Sequence, residues 1–204
     1  MPFAFTSALA LVCFATTALL ATYVSTRLPP RIDIAGTRLR GTATPLAALF
    51  TLLGRWYSVG AIALACAGLA ALTGRPVLPF LVLLVSQTLS QGAVSIIKRI
   101  TCRSRPANWL LRLESDSSYP SGHAATAIVF FGGLIAIVRT SHVPPGAAGI
   151  ATALLLICAA GIPWSRLALG AHYVTDVAGG LAFGGGWLAM TLELFARYGP
   201  GLGP

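Results

Sequence analysis

Six stretches of this chain are long and apolar enough to cross a lipid bilayer, with one Asp, Glu, Lys or Arg among them, Glu193 near the end of the last, and no other property limits its folding more. About 20 apolar residues cross as a helix, and an ionised side chain at the centre of a crossing is costly. The stretches are Phe3 to Tyr23, Trp56 to Leu72, Val77 to Ile97, His123 to Val138, Ala147 to Pro163 and Val177 to Leu194. Only 9% of residues are charged, whereas soluble domains carry roughly a quarter. The expected fold is therefore all-α: a polytopic membrane protein, one membrane-embedded domain over residues 1–204 with a bundle of six transmembrane helices.

The first stretch lacks the basic start of a cleaved signal and its apolar run is too long for one, which predicts a retained helix. Between the first two spans, Arg27 to Arg55 holds a basic, proline-broken piece, RLPPRIDIAGTRLRG, and an apolar piece too short to cross, TPLAALFTLLG. An interfacial or re-entrant helix starting at Pro45, with Trp56 and Tyr57 as headgroup anchors, and a plain long loop both fit the second piece. Cys13, Cys66 and Cys158 fall inside spans and Cys102 stands alone among arginines, a spacing that suggests neither a disulfide nor a metal cluster. The formal charge of +9 sits on arginines at membrane-edge loops. That placement favours anionic headgroups or a phosphorylated substrate over nucleic acid as partner.

Polar residues are scarce here, so ionisable groups at membrane depth are functional candidates. Three clusters stand out: Lys98, Arg105 and Pro106 in KRITCRSRP; Pro120, Ser121, Gly122 and His123 in YPSGH; and Ser165, Arg166, His172 and Asp176 in SRLALGAHYVTD. With alternating spans, all three fall at one membrane face. Lys98, Arg105 and Arg166 set three positive charges against one negative from Asp176, a surplus suited to a dianionic phosphate. Ser121 can donate its hydroxyl, and Gly122 lets the free N–H groups of a helix start approach an anion closely. His172 and Asp176 share one helical face if the sixth span starts near His172, so the carboxylate can hold Nδ1–H and leave Nε2 free as a nucleophile. His123 can then act as acid and base in a two-step hydrolysis through a phosphohistidine. Arg166 and His172, six apart, need a break between them, and Gly170 can supply it. No acidic cluster with cation-binding spacing is present, so metal-free chemistry is expected.

These residues resemble the signature of the type 2 phosphatidic acid phosphatases, a superfamily that includes lipid phosphate phosphatases, glucose-6-phosphatase and vanadium haloperoxidases. The signature consists of Lys with Arg-Pro seven residues on, Pro-Ser-Gly-His, and Ser-Arg with His six and Asp ten residues after the Arg. All three parts stand between Lys98 and Asp176. The resemblance implies a six-helix bundle without a cofactor. It assigns phosphate binding to Lys98, Arg105, Ser121, Gly122 and Arg166, the acid to His123, the nucleophile to His172 and its partner to Asp176.

The leading expectation is an integral membrane phosphatase acting on a lipid phosphomonoester or diphosphate, such as phosphatidate, phosphatidylglycerophosphate, diacylglycerol pyrophosphate or undecaprenyl pyrophosphate. The alternatives are a vanadate-loaded haloperoxidase, and a transporter or binding protein that recognises phosphate without hydrolysing it. Flanking arginines Arg99, Arg103 and Arg112 read as charges that snorkel to headgroups. Asp176 can also cap the sixth helix, His142 reads as a surface residue of the opposite face, and Glu193 with Arg197 as an i, i+4 pair. The signature face carries Arg27, Arg31, Arg38, Arg40, Arg55, Arg99, Arg103 and Arg112 besides the phosphate cations, and the other face only Arg75, Arg139 and Arg197. The positive-inside bias puts the signature in the cytoplasm; the family resemblance puts it at the periplasmic face of the inner membrane, and we follow the family.

Overall fold

The computed structural model describes residues 3–26, 29–107, 110 and 114–198. Among them every regular element is helical, and the chain is a multi-pass membrane protein. In order come α1 (Phe3–Thr26), the short α2 (Arg31–Gly36), α3 (Thr44–Leu53), α4 (Trp56–Leu72), α5 (Leu78–Thr101), α6 (Gly122–Thr140), α7 (Pro145–Ala168) and α8 (Val174–Tyr198). Five of these, α1, α5, α6, α7 and α8, are long and apolar enough to cross alone. A sixth crossing is available where a bent pair counts as one span: α3 and α4 meet at 60° across Gly54 and Arg55. The apolar piece starting at Pro45 is thus a helix, with the proline at its first turn, where a missing N–H costs nothing.

Leucines and isoleucines such as Leu11, Leu19, Leu64, Leu72, Leu89 and Ile100 point outward from the bundle, as a lipid-facing surface requires. Its centre is α6, whose Ala125, Ala127, Val129 and Phe130 are fully covered by α5, α7 and α8. A π-helical turn at Ala127–Phe131 interrupts α6 without breaking it. The last helix packs closely because it is glycine-rich: a Cβ at Gly180 would strike the Ser121 carbonyl oxygen, and one at Gly186 would come within 3.1 Å of the Ala10 carbonyl oxygen. At the end of the bundle away from the signature, Arg75 Nη2 donates to the His142 carbonyl at 3.2 Å, tying together two loops that the spans predict on one face.

Two boundaries differ from the sequence expectation in ways that matter for the site. Helix α7 does not stop before Ser165; it runs through Pro163 to Ala168 and carries Ser165 and Arg166 inside the helix. Proline forfeits one backbone bond there, but Ala168 and Leu169 pack on Ala47 of α3, with Phe50 edge-on to Trp164 at 6.2 Å, and this packing holds the extra turn. Helix α8 starts at Val174, so His172 lies just ahead of it rather than on its face. Gly170 has φ +66°, the break expected between Arg166 and His172.

Candidate active site

The ends of α5, α6, α7 and α8 gather the three signature clusters. A cavity of about 610 Å³ opens between α4 and α5, lined by Lys98, Arg105, Gly122, His123 and His172 together with Val59, Gly60, Leu84 and Thr88. Ser121, Arg166 and Asp176 sit behind this wall, all but fully buried.

The clusters are joined through the main chain as well as side chains. The Ser121 N–H donates to the Asp176 carbonyl at 3.0 Å, and the Ser121 hydroxyl oxygen caps α6 by accepting from the Ala124 N–H at 3.4 Å. Gln91 of α5 donates to the Gly122 carbonyl at 3.2 Å, which fixes the start of α6 against α5. Gly54, at the bend between α3 and α4, lies under the His123 ring, where a Cβ would come within 2.6 Å of it. The Nε2 atom of His123 is buried without a hydrogen-bond partner.

His172 meets Asp176 differently from the expectation. Its Nδ1 is 3.5 Å from Asp176 Oδ2 and has no hydrogen bond; that oxygen instead accepts from the Tyr173 N–H at 2.8 Å and so caps α8. Loss of the shared helical face explains the gap, since the ring approaches from the turn ahead of α8. On its other side, His172 Nε2 lies 3.2 Å from Arg105 Nη1. Burial, then the charges of Arg166, Arg105 and Lys98, hold the imidazole well below its ordinary pKa, which keeps the ring neutral and its lone pair available.

The expected positive surplus is largely neutralised. Lys98 Nζ donates to Asp116 Oδ2 at 2.7 Å, and Arg105 Nη2 to Asp116 Oδ1 at 2.6 Å. Arg166 Nη2 grips both oxygens of Glu114, at 3.0 and 2.8 Å, while its Nη1 donates to Thr51 of α3. Burial disfavours ionising Asp116, yet Lys98 and Arg105 outweigh it and hold the carboxyl below the usual carboxylate range. Each proposed phosphate cation therefore has a carboxylate from the loop before α6.

Arg103 corrects the sequence reading outright. It is no headgroup-seeking flank: it is buried, donating through Nη1 to Asp176 Oδ1 at 2.5 Å and through Nη2 to Asp33 Oδ2 at 2.7 Å. Arg27 and Arg112, and the side chain of Arg197, lie outside the described residues. Sequence reasoning also passed over Asp33, Thr51, Glu114 and Asp116. A signal for the acids was present, since the whole chain has five Asp and Glu, and four of them, Asp33, Glu114, Asp116 and Asp176, meet at this face. Among the described residues no three of His, Cys, Asp or Glu gather as a metal ion would need.

Comparison with known proteins agrees with this architecture. A sequence model of the PAP2 superfamily matches residues 79–199, which include all three clusters. Two lipid A 1-phosphatases, from Rhizobium etli and Rhizobium johnstonii, are each 34% identical over 82 residues, or 40% of this chain. Those matches span only 31% and 30% of the relatives' own lengths. The crystal structure of a transmembrane PAP2-type phosphatidylglycerolphosphate phosphatase from Bacillus subtilis superposes with a TM-score of 0.76 at 21% identity, covering 93% of this chain and 96% of that one. It shares the fold.

Proposed function

The chain belongs to the PAP2 superfamily, and on that premise we propose that it is a metal-independent lipid phosphatase working through a phosphohistidine. The observation that carries the reading is the cavity itself: two histidines and two phosphate cations line it, next to a slot between α4 and α5 that sets Val59, Leu84 and Val94 beside the polar Gln87, Thr88 and Gln91. A lipid can leave its chains in that slot while its phosphate reaches the histidines.

In this mechanism the phosphate displaces Asp116 and Glu114 and takes over Lys98, Arg105 and Arg166, with Ser121 and Gly122 completing the cradle. Nε2 of His172 attacks phosphorus, and the bond from phosphorus to the lipid oxygen breaks. That oxygen takes the proton held on Nε2 of His123. Water then attacks the phosphohistidine, His123 accepts its proton, and the nitrogen–phosphorus bond breaks to release inorganic phosphate. Asp176 approaches Nδ1–H as charge builds on the ring.

The substrate class is a lipid phosphomonoester or diphosphate, and we place the site at the periplasmic face of the inner membrane. Detergent-purified protein offered phosphatidate, phosphatidylglycerophosphate, diacylglycerol pyrophosphate, undecaprenyl pyrophosphate and lipid A 1-phosphate should release phosphate from at least one, without inhibition by chelator and with inhibition by vanadate. His172→Ala should lower release by about 10³-fold or more, and lose the acid-labile protein-bound phosphate trapped on wild type. Absence of release from every lipid would favour a phosphate-recognising transporter instead. For the face, a cytoplasm-only reporter at the C-terminus should fluoresce; silence would place the site inside.

A further inference from the structure

We propose that Arg103 and Asp33 form a positioning pair for His172: Arg103 fixes the carboxylate behind the ring, and Asp33 offsets the arginine's charge so that the carboxylate side of the ring stays net negative. The inference rests on the phosphatase reading and deepens it at the same site.

The three groups form one buried unit drawn from distant parts of the chain. Asp33 comes from α2, between the first two spans, and is 1% exposed. Its Oδ2 accepts from Arg103 Nη2 at 2.7 Å and from the Thr175 hydroxyl at 2.8 Å, and its Oδ1 accepts from the Thr175 N–H at 2.9 Å. Arg103 spans from there to Asp176 Oδ1 at 2.5 Å and lies over the Tyr173 ring, 4.5 Å from its centroid. Burial disfavours the guanidinium charge, but Asp176 and Asp33 outweigh it and raise its pKa. The planar fork of arginine is what lets one side chain grip both carboxylates.

Charge makes this more than a staple. The ring of His172 must carry positive charge once Nε2 is bonded to phosphorus, and most groups facing it oppose that charge. Lys98 of α5, Arg105 of the following loop and Arg166 of α7 are cationic, and His123 of α6 shares the cavity. Glu114 and Asp116 of the loop before α6 are engaged by those cations. Asp176 of α8 is the one anion at Nδ1. Paired with Arg103 alone, it would belong to a formally neutral couple; with Asp33 added, the unit of two carboxylates and one guanidinium keeps one net negative charge beside the ring.

The test is the pH dependence of kcat/KM, measured on the full chain in detergent with whichever lipid of the panel above turns over fastest. The acidic limb reports protonation of the free enzyme's nucleophile. Asp33→Asn makes the surroundings of His172 less negative, so its limb should move to lower pH by about 0.5 to 1 unit. The same variant should lose about tenfold in kcat with KM within about threefold. Arg103→Gln should move the limb the opposite way, and the charge-balanced double variant D33N/R103Q should bring it back to the wild-type position. Arg103→Lys should hold the wild-type limb while losing kcat, because lysine keeps the charge but not the two-sided grip. General structural damage does not shift a limb in opposite directions for two neighbours. Limbs that coincide in all variants, or a double variant displaced further than either single, would overturn the inference and leave the phosphatase reading intact. Should the single variants fail to fold, R103K decides alone through the kcat–KM split: a kcat about tenfold lower with KM and the limb unchanged supports the two-sided grip, and a wild-type kcat or a displaced limb overturns it. Wild type that releases no phosphate from any lipid would overturn both readings.

Discussion

Two sets of carboxylates meet basic side chains at this end of the bundle, and they differ in depth. Asp33 and Asp176, on the Nδ1 side of His172, are sealed from solvent and share Arg103. Glu114 and Asp116, in front, hold Lys98, Arg105 and Arg166, with the Asp116 side chain 53% exposed. A buried ion pair broken on one side leaves an uncompensated charge in a low dielectric, which costs about 3–5 kcal/mol. A pair at a solvent-open edge contributes about 0–1 kcal/mol and exchanges readily. The deep set is therefore a fixed part of the structure; at the front only Asp116 reaches such an edge, since Glu114 and Arg166 are 23% and 2% exposed, and in the proposed mechanism both front acids hold the place that a phosphate takes.

Substitutions can break that contrast, and the deep set should respond most. Asp176→Asn should reduce kcat by about 10²–10⁴-fold with little change in KM, since geometry and charge at the ring are lost but phosphate contacts are not. A kcat loss below tenfold would mean that Asp176 mainly caps α8. Next in size, Lys98→Ala should raise KM by about 10–100-fold, the worth of one charge-assisted hydrogen bond to phosphate. An unchanged KM would show that Asp116, not substrate, is the lysine's working partner. Smallest, E114Q/D116N should lower KM, and the concentration of vanadate that half-inhibits, by about threefold without lowering kcat. Should that variant bind vanadate more weakly, the front acids belong to the cradle rather than occupying it.

The membrane architecture was legible because uncharged length is a strong signal and each span lies between charges. The signature was legible because its residues are close together in sequence. What escaped reading depends on long-range pairing. Arg103 looks like any other loop arginine until Asp33, 70 residues earlier, is seen against it. The overrun of α7 past Pro163 is decided by Ala47 and Phe50 of another helix, not by anything local. Glu114 and Asp116 stand in an aperiodic loop, where only the rarity of acids in this chain could have marked them.

The joint between Ser121 and Asp176 is made of peptide atoms, which every amino acid but proline supplies. Exchange of side chains around it leaves the donor and acceptor in place, so the seam between the second and third signature clusters does not depend on any particular neighbour. Its weak point is an addition rather than a loss. One methyl group at position 180 would strike the Ser121 carbonyl, wedge the two segments of backbone apart and shift Ser121 relative to His172 without altering either side chain.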